Sequence, residues 1–154
     1  MKIIDEAMQR GDKTLSEFDS KKVLEAYSIP VTKEFIAKSL DEAKKFAQEI
    51  GYPVVLKGHS SKLTHKTELN MIELNLKDEG AVETAYKALE GRGKGELEGV
   101  LVQQMIKGER EFVAGLIRDP QFGPCVMFGL GGIFTEVLKD VTFRVAPLEK
   151  RDAL

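Results

Sequence analysis

The sequence predicts an α/β fold in two lobes, an α/β first half followed by a largely antiparallel second half. Three observations carry this expectation. Up to Glu90, helical apolar spacing alternates with short β-rich runs, so helices and strands interleave. Beyond it the runs are strand-like and separated by turn residues. Of the 14 glycines, 10 lie from Gly91 onward, so the two halves are built differently. The 154 residues are enough for one domain with a real core.

Ser16 and Asp19 resemble a capping box that starts a helix running to Tyr27, and Pro30 ends that segment. Val31 to Ala37 reads as a strand. Ser39 and Glu42 form a second box, ahead of Ala43, Phe46, Ala47 and Ile50 at helical spacing and Gly51 at a C-cap. Val54 to Lys57 is a short buried strand, and Ile72, Leu74 and Leu76 alternate as another. Asp78 caps a third helix whose apolar face is Val82, Ala85, Tyr86 and Leu89, with Gly91 after it. Gly91, Gly93, Gly95 and Gly99 then read as a flexible joint between the lobes. Strands follow at Val100 to Ile106, Phe112 to Ile117 and Cys125 to Phe128, with two more candidates at Ile133 to Leu138 and at Val141, Phe143 and Val145. The expected organisation is an extension over 1–13, a first lobe over 14–98 and a second lobe over 99–154.

With 23 Lys and Arg against 25 Asp and Glu, the net charge is -2, and no global field exists to hold nucleic acid or an anionic bilayer. The single cysteine, Cys125, excludes a disulfide framework or a multi-cysteine metal site within the chain, and reads as a buried inert thiol. The charged N-terminus is not a signal peptide, and no stretch approaches the roughly 18 apolar residues of a membrane span, so a cytoplasmic location is expected.

Lys57 to Glu68, KGHSSKLTHKTE, is the densest polar segment. It leaves a buried strand with Lys57, Lys62 and Lys66, both histidines and four hydroxyl residues, a composition suited to a phosphate. It lacks the P-loop spacing, and a solvated surface loop is the plain alternative. His65 has the chemistry of a phosphoryl acceptor or an acid–base group, against that of an idle loop histidine. Phe128-Gly129-Leu130-Gly131-Gly132-Ile133 follows an apolar strand with three glycines that let backbone amides approach a ligand, or simply make a tight turn. It is not a Rossmann fingerprint, because the spacing is G-x-G-G and no amphipathic helix follows. Val102 to Glu111 passes from an apolar strand to a turn with two acids, suited to a base and a ribose, or to a hairpin.

In this order the three signals resemble the ATP-grasp domain of the ADP-forming acyl-CoA synthetases, the acetate–CoA ligase (ADP-forming) family. The tracts that carry the likeness are LSEFDSKKVLEAY (Leu15 to Tyr27), YPVVLKGHSSKLTHKTE (Tyr52 to Glu68), LVQQMIKGEREFVAG (Leu101 to Gly115) and RDPQFGPCVMFGLGGIFTEVLKDVTFRVAPL (Arg118 to Leu148). The resemblance implies an ATP-grasp fold whose lobes grip the nucleotide. It also implies a reversible reaction in which acyl-CoA, ADP and phosphate give a carboxylate, ATP and CoA by way of phosphohistidine. The main phosphohistidine lies on a CoA-binding alpha subunit or domain, the implied partner in a hetero-oligomer. His65 matches a second phosphate carrier and Lys57 the strand lysine that neutralises ATP phosphates. Gln104, Met105 and Ile106 match the adenine-facing hinge, Glu111 matches the acid that holds the ribose, and Gly131 and Gly132 the nucleotide-binding turn.

Two departures accompany the likeness. Many relatives carry paired glycines where Leu69-Asn70-Met71 stands here. The family's Asn-Pro strand and the acid after it, which bind Mg2+, find no match, so the metal ligands are expected outside this chain, with Glu136 the nearest acid in the pattern. The length accordingly reads as a truncated piece or a partial subunit. The alternatives are another ATP-grasp carboxylate ligase, such as a succinyl-CoA synthetase relative, and a non-catalytic nucleotide-binding regulatory module.

Overall fold

The computed structural model describes residues 1–60, 70–108, 110–132 and 141–153. The chain divides into two units, Met1–Ile106 and Lys107–Leu154.

In the first unit, α1 (Lys2–Arg10) lies within the expected extension, and α2 (Glu17–Ala26) follows it. Next come β1 (Glu34–Ala37), α3 (Leu40–Ile50), β2 (Val54–His59), β3 (Ile72–Leu76), α4 (Glu79–Gly93) and β4 (Gly99–Gln104). The N-caps of α2, α3 and α4 are Ser16, Ser39 and Asp78, and each side chain accepts the amide three residues on. Each cap satisfies an amide that the helix itself leaves unpaired.

The sheet runs β1-β4-β2-β3, every pair antiparallel. Its alternation separates two faces. One carries Ala37, Val54, Leu56, Val100 and Val102, which join Ala43 and Ala47 of α3 and Val82, Ala85, Tyr86 and Leu89 of α4 in one buried cluster. Phe35 of β1 stacks on Phe46 of α3 at 4.7 Å between ring centroids. The other face carries Glu34, Val55, Lys57, Leu101 and Gln103, and it is where chemistry collects.

The division of the chain differs from the expected boundary at 98/99. β4, expected to open the second lobe, is an inner strand of the first sheet, paired on both sides with β1 and β2. Gly91 and Gly93, expected in a joint, lie within α4, where Gly93 is buried so closely that a Cβ would stand 2.5 Å from Leu97. Gly99 serves strand packing, since a Cβ there would stand 2.9 Å from the Ala37 carbonyl.

In the second unit, β5 (Phe112–Asp119), β6 (Gly123–Leu130) and β7 (Val141–Val145) form an antiparallel sheet in that order, and a 3-10 turn spans Lys150–Ala153. Asp119 closes the β5–β6 turn by accepting from the amides of Gln121 and Phe122. Of the strands expected here, Ile133 to Leu138 lies outside the described residues. Cys125 is buried, as expected.

Candidate functional site

Lys57 lies near the end of β2, in register with the fully buried Leu101 of β4. Its Nζ donates to Glu17 Oε1 at 2.6 Å, with the two side chains 19% and 32% exposed. Glu17 sits in the first turn of α2, and its Oε1 also accepts from Lys21 one helical turn on, at 3.1 Å. Lys21 donates further to Thr32 Oγ1 at 3.0 Å and to Glu34 Oε2 at 2.5 Å. Thr32 also accepts from Gln103 Nε2 at 3.0 Å, and Gln103 and Glu34 are register partners. The network thus ties α2 to three strands of one sheet face.

Burial pushes the Glu17 carboxyl up, but hydrogen bonds from Lys57 and Lys21 and their charges outweigh it and hold the group below its ordinary range. The buried Glu34 Oε1 and Gln103 Oε1 have no hydrogen-bond partner among the described residues. Such acceptors cost free energy when left dry, so this corner of the sheet is built for polarity rather than for packing.

Gln104 ends β4 beside this network and, with Phe18, Lys21, Thr32 and Phe35, lines an open cavity of about 470 Å3. Its amide donates to the Lys33 carbonyl at 2.9 Å, and the Met105 amide to the Pro53 carbonyl at 3.4 Å. Ile106 is exposed at the end of the first unit. The hinge expected at Gln104, Met105 and Ile106 therefore leaves a strand whose final amides are engaged by neighbouring segments.

His65 and the rest of 61–69 lie outside the described residues, as does Glu136. The segments on either side of 61–69 are fixed. Gly58 N–H donates to the Met71 carbonyl at 2.8 Å and Glu98 N–H to the His59 carbonyl at 2.9 Å. Arg92 of α4 donates to the Asn70 carbonyl and pairs with Glu73, each at 2.6 Å.

In the second unit the structure brings Glu111, Gly131 and Gly132 together. Phe112 and Leu130 are register partners, so the residues beyond them are neighbours, and Gly131 N–H donates to the Glu111 carbonyl at 2.7 Å. A Cβ on Gly131 would stand 3.0 Å from the backbone of Glu111 and Phe112, and one on Gly132 would stand 2.6 Å from Glu111 Oε2. Gly132 also has φ 62°. Glycine suits this left-handed backbone and lets the turn lie against the Glu111 carboxylate without displacing it. Stacking of Phe112 on Phe128 at 5.6 Å stiffens the strands beneath it.

Sequence reasoning missed Glu17, Lys21, Thr32, Glu34 and Gln103. The signals were the four-residue spacing of Glu17 and Lys21 and the polar Glu34 and Gln103 at the ends of otherwise apolar strands. Among the described residues there is no group of three or more His, Cys, Asp or Glu side chains that could hold a metal ion. No helix among them is long and apolar enough to cross a membrane.

A family model described as an ATP-grasp domain matches residues 6–154. The chain is 44% identical over 158 aligned residues to the beta subunit of acetate–CoA ligase [ADP-forming] II of Pyrococcus furiosus, covering 99% of this chain and 67% of that one. It superposes with a TM-score of 0.93, at 44% identity, on a dinucleotide-forming acetyl-coenzyme A synthetase 1 of Ca. Korarchaeum cryptofilum in complex with coenzyme A and Ca-AMPCP, covering 99% of this chain and 69% of that one. A second structure of that enzyme, with coenzyme A and Mg-AMPPCP and its phosphohistidine segment pointing towards the nucleotide-binding site, gives a TM-score of 0.86 at 42% identity over 99% of this chain and 66% of that one. The chain spans about two thirds of the length of these relatives. A match that covers 99% of the chain, on a fold this close, means that the chain belongs to the ATP-grasp domain family, among the ADP-forming acetate–CoA ligases.

Proposed function

We propose that this chain is the nucleotide-handling part of an ADP-forming acyl-CoA synthetase, interconverting acyl-CoA, ADP and phosphate with a carboxylate, ATP and CoA. The observation that carries this reading is the 44% identity to an acetate–CoA ligase beta subunit across 99% of the chain. In this reading Lys57 neutralises the nucleotide's phosphates, and Gln104, Met105 and Ile106 face its adenine. Glu111 accepts from the ribose hydroxyls, and Gly131 and Gly132 let backbone amides approach the phosphates.

His65 is the phosphoryl carrier. A ring nitrogen attacks the terminal phosphorus of ATP, the bond to the ADP oxygen breaks, and ADP leaves. The phosphohistidine then passes its phosphoryl group to the histidine of a CoA-binding alpha subunit. The reaction asks mainly for positioning and charge neutralisation, which a lysine on a rigid strand and close backbone amides supply. Magnesium bound with the nucleotide would neutralise phosphate charge. The charge of -2 fits partners that are proteins and small anions rather than nucleic acid or membrane, in the cytoplasm.

Labelled ATP tests the reading. With the CoA-binding partner present, label that is acid-labile and bound to histidine appears on the chain, and His65→Ala removes it. ATP bound without transferable label favours a regulatory module, and absence of ATP binding overturns the assignment.

A further inference from the structure

Lys57 has a partner before any nucleotide arrives. Lys57 is the cross-strand partner of the fully buried Leu101 and its side chain is only 19% exposed, so an unpaired cation there would be costly, and Glu17 Oε1 meets it at 2.6 Å. That carboxylate comes from α2, which is joined to the sheet face through Lys21, Thr32 and Glu34. One oxygen therefore serves two ammonium groups. Lys21 is committed, with one donor each to Glu17, Thr32 and Glu34. If Lys57 swings away, Glu17 keeps Lys21 and is not left as a bare buried charge.

We propose that Glu17 is the resting counter-ion of Lys57, a positioning residue that the nucleotide's phosphates displace when they engage this lysine. The proposal rests on the reading of Lys57 given above and deepens it. A lysine already neutralised by a neighbouring carboxylate is held in place when the site is empty. It attracts a diphosphate less strongly than a bare one, because the bound anion sits near a second negative charge. A reversible transfer gains from this, since the nucleotide must leave as readily as it enters.

The direction of the effect separates this role from a structural one. ADP binding to the full chain is measured by calorimetry for the wild-type protein, Glu17→Gln, Lys57→Met and the double variant. Glu17→Gln is expected to bind ADP about five- to tenfold tighter. Lys57→Met binds more weakly, and the double variant binds like Lys57→Met alone, because the carboxylate acts through that lysine. Damage to the fold would not tighten binding. Unchanged or weaker binding by Glu17→Gln, or tightening that persists without Lys57, overturns the proposal. Circular dichroism checks folding. If Glu17→Gln does not fold, Glu17→Asp, which keeps the charge but retracts it, decides instead: about twofold tightening supports the proposal and none overturns it. If the wild-type chain does not bind ADP, or Lys57→Met leaves binding unchanged, the reading of Lys57 falls and this proposal with it. If Lys57→Met weakens binding and Glu17→Gln does not tighten it, only the counter-ion role falls.

Discussion

Glu17 is a carboxylate kept ionised against its own burial, and stability is linked to that ionisation. Its hydrogen bonds and ion pairs with Lys57 and Lys21 hold it below the ordinary carboxylate value of 4.5. A depressed carboxyl contributes stability above its unfolded value and loses it as pH falls through its folded value. Wild-type protein should therefore melt higher than Glu17→Gln near pH 7, and the gap should shrink once pH falls below about 4.5. Melting followed by circular dichroism across pH checks this, and a gap that widens in acid would contradict the ionised pair. Glu83 on α4, drawn down to about 2 by hydrogen bonds from Lys44 and Lys87, titrates in the same sense but in open solvent, where the contribution is small. In the second unit, Gly132→Ala meets both a left-handed backbone at φ 62° and the Glu111 carboxylate at 2.6 Å. Destabilisation of about 1–2 kcal/mol by urea unfolding is expected and, on the role proposed for Glu111, weaker ADP binding as that carboxylate moves. Unchanged binding would separate that turn from the nucleotide.

At the scale of elements, what could be read in the sequence was what is local. The helices α2, α3 and α4 announced themselves through Ser16, Ser39 and Asp78 and through apolar spacing, and those side chains do cap. Ser39→Ala should cost about 1 kcal/mol, visible as a lower urea midpoint with an unchanged slope. Leu56→Ala, which empties the centre of the buried cluster, should cost about 2–5 kcal/mol in the same assay. What could not be read was pairing at a distance. β4 bonds to β1 and β2, whose register partners such as Glu34 for Gln103 lie far back in the chain, and no pattern within residues 91–104 specifies that. Glycines there suggested a joint, whereas Gly93 and Gly99 serve close packing within the first unit. The site divides along the same line. Lys57, Glu111, Gly131 and Gly132 were proposed from local sequence, a lysine leaving an apolar strand, an acid in a turn and a glycine pair after a strand, together with the family likeness. The network around Lys57 was not, because it is assembled from α2, the segment before β1, β1 itself and β4.

At the scale of the molecule, apolar burial among the described residues is unevenly shared between the units. The buried cluster spans Ala37 to Val102, all within Met1–Ile106, whereas Cys125 is the only buried hydrophobic residue described beyond Ile106. Local stability follows buried apolar area, so the second sheet should open at a lower free-energy cost than the first. The chain carries a probe for each. All three tyrosines, Tyr27, Tyr52 and Tyr86, lie in the first unit, and Cys125 in the second is the chain's one thiol. In a urea series, Cys125 should become reactive towards a thiol reagent at a lower concentration than the tyrosine fluorescence changes. If, as proposed, ADP engages Glu111 and the Gly131-Gly132 turn, its addition should raise the urea concentration at which Cys125 reacts, because a bound ligand stabilises the unit that holds its contacts. Coincident transitions without nucleotide would mean that the two units unfold as one. A thiol transition unmoved by ADP would remove the second unit from the nucleotide site and leave Lys57 and its carboxylate as the place to look.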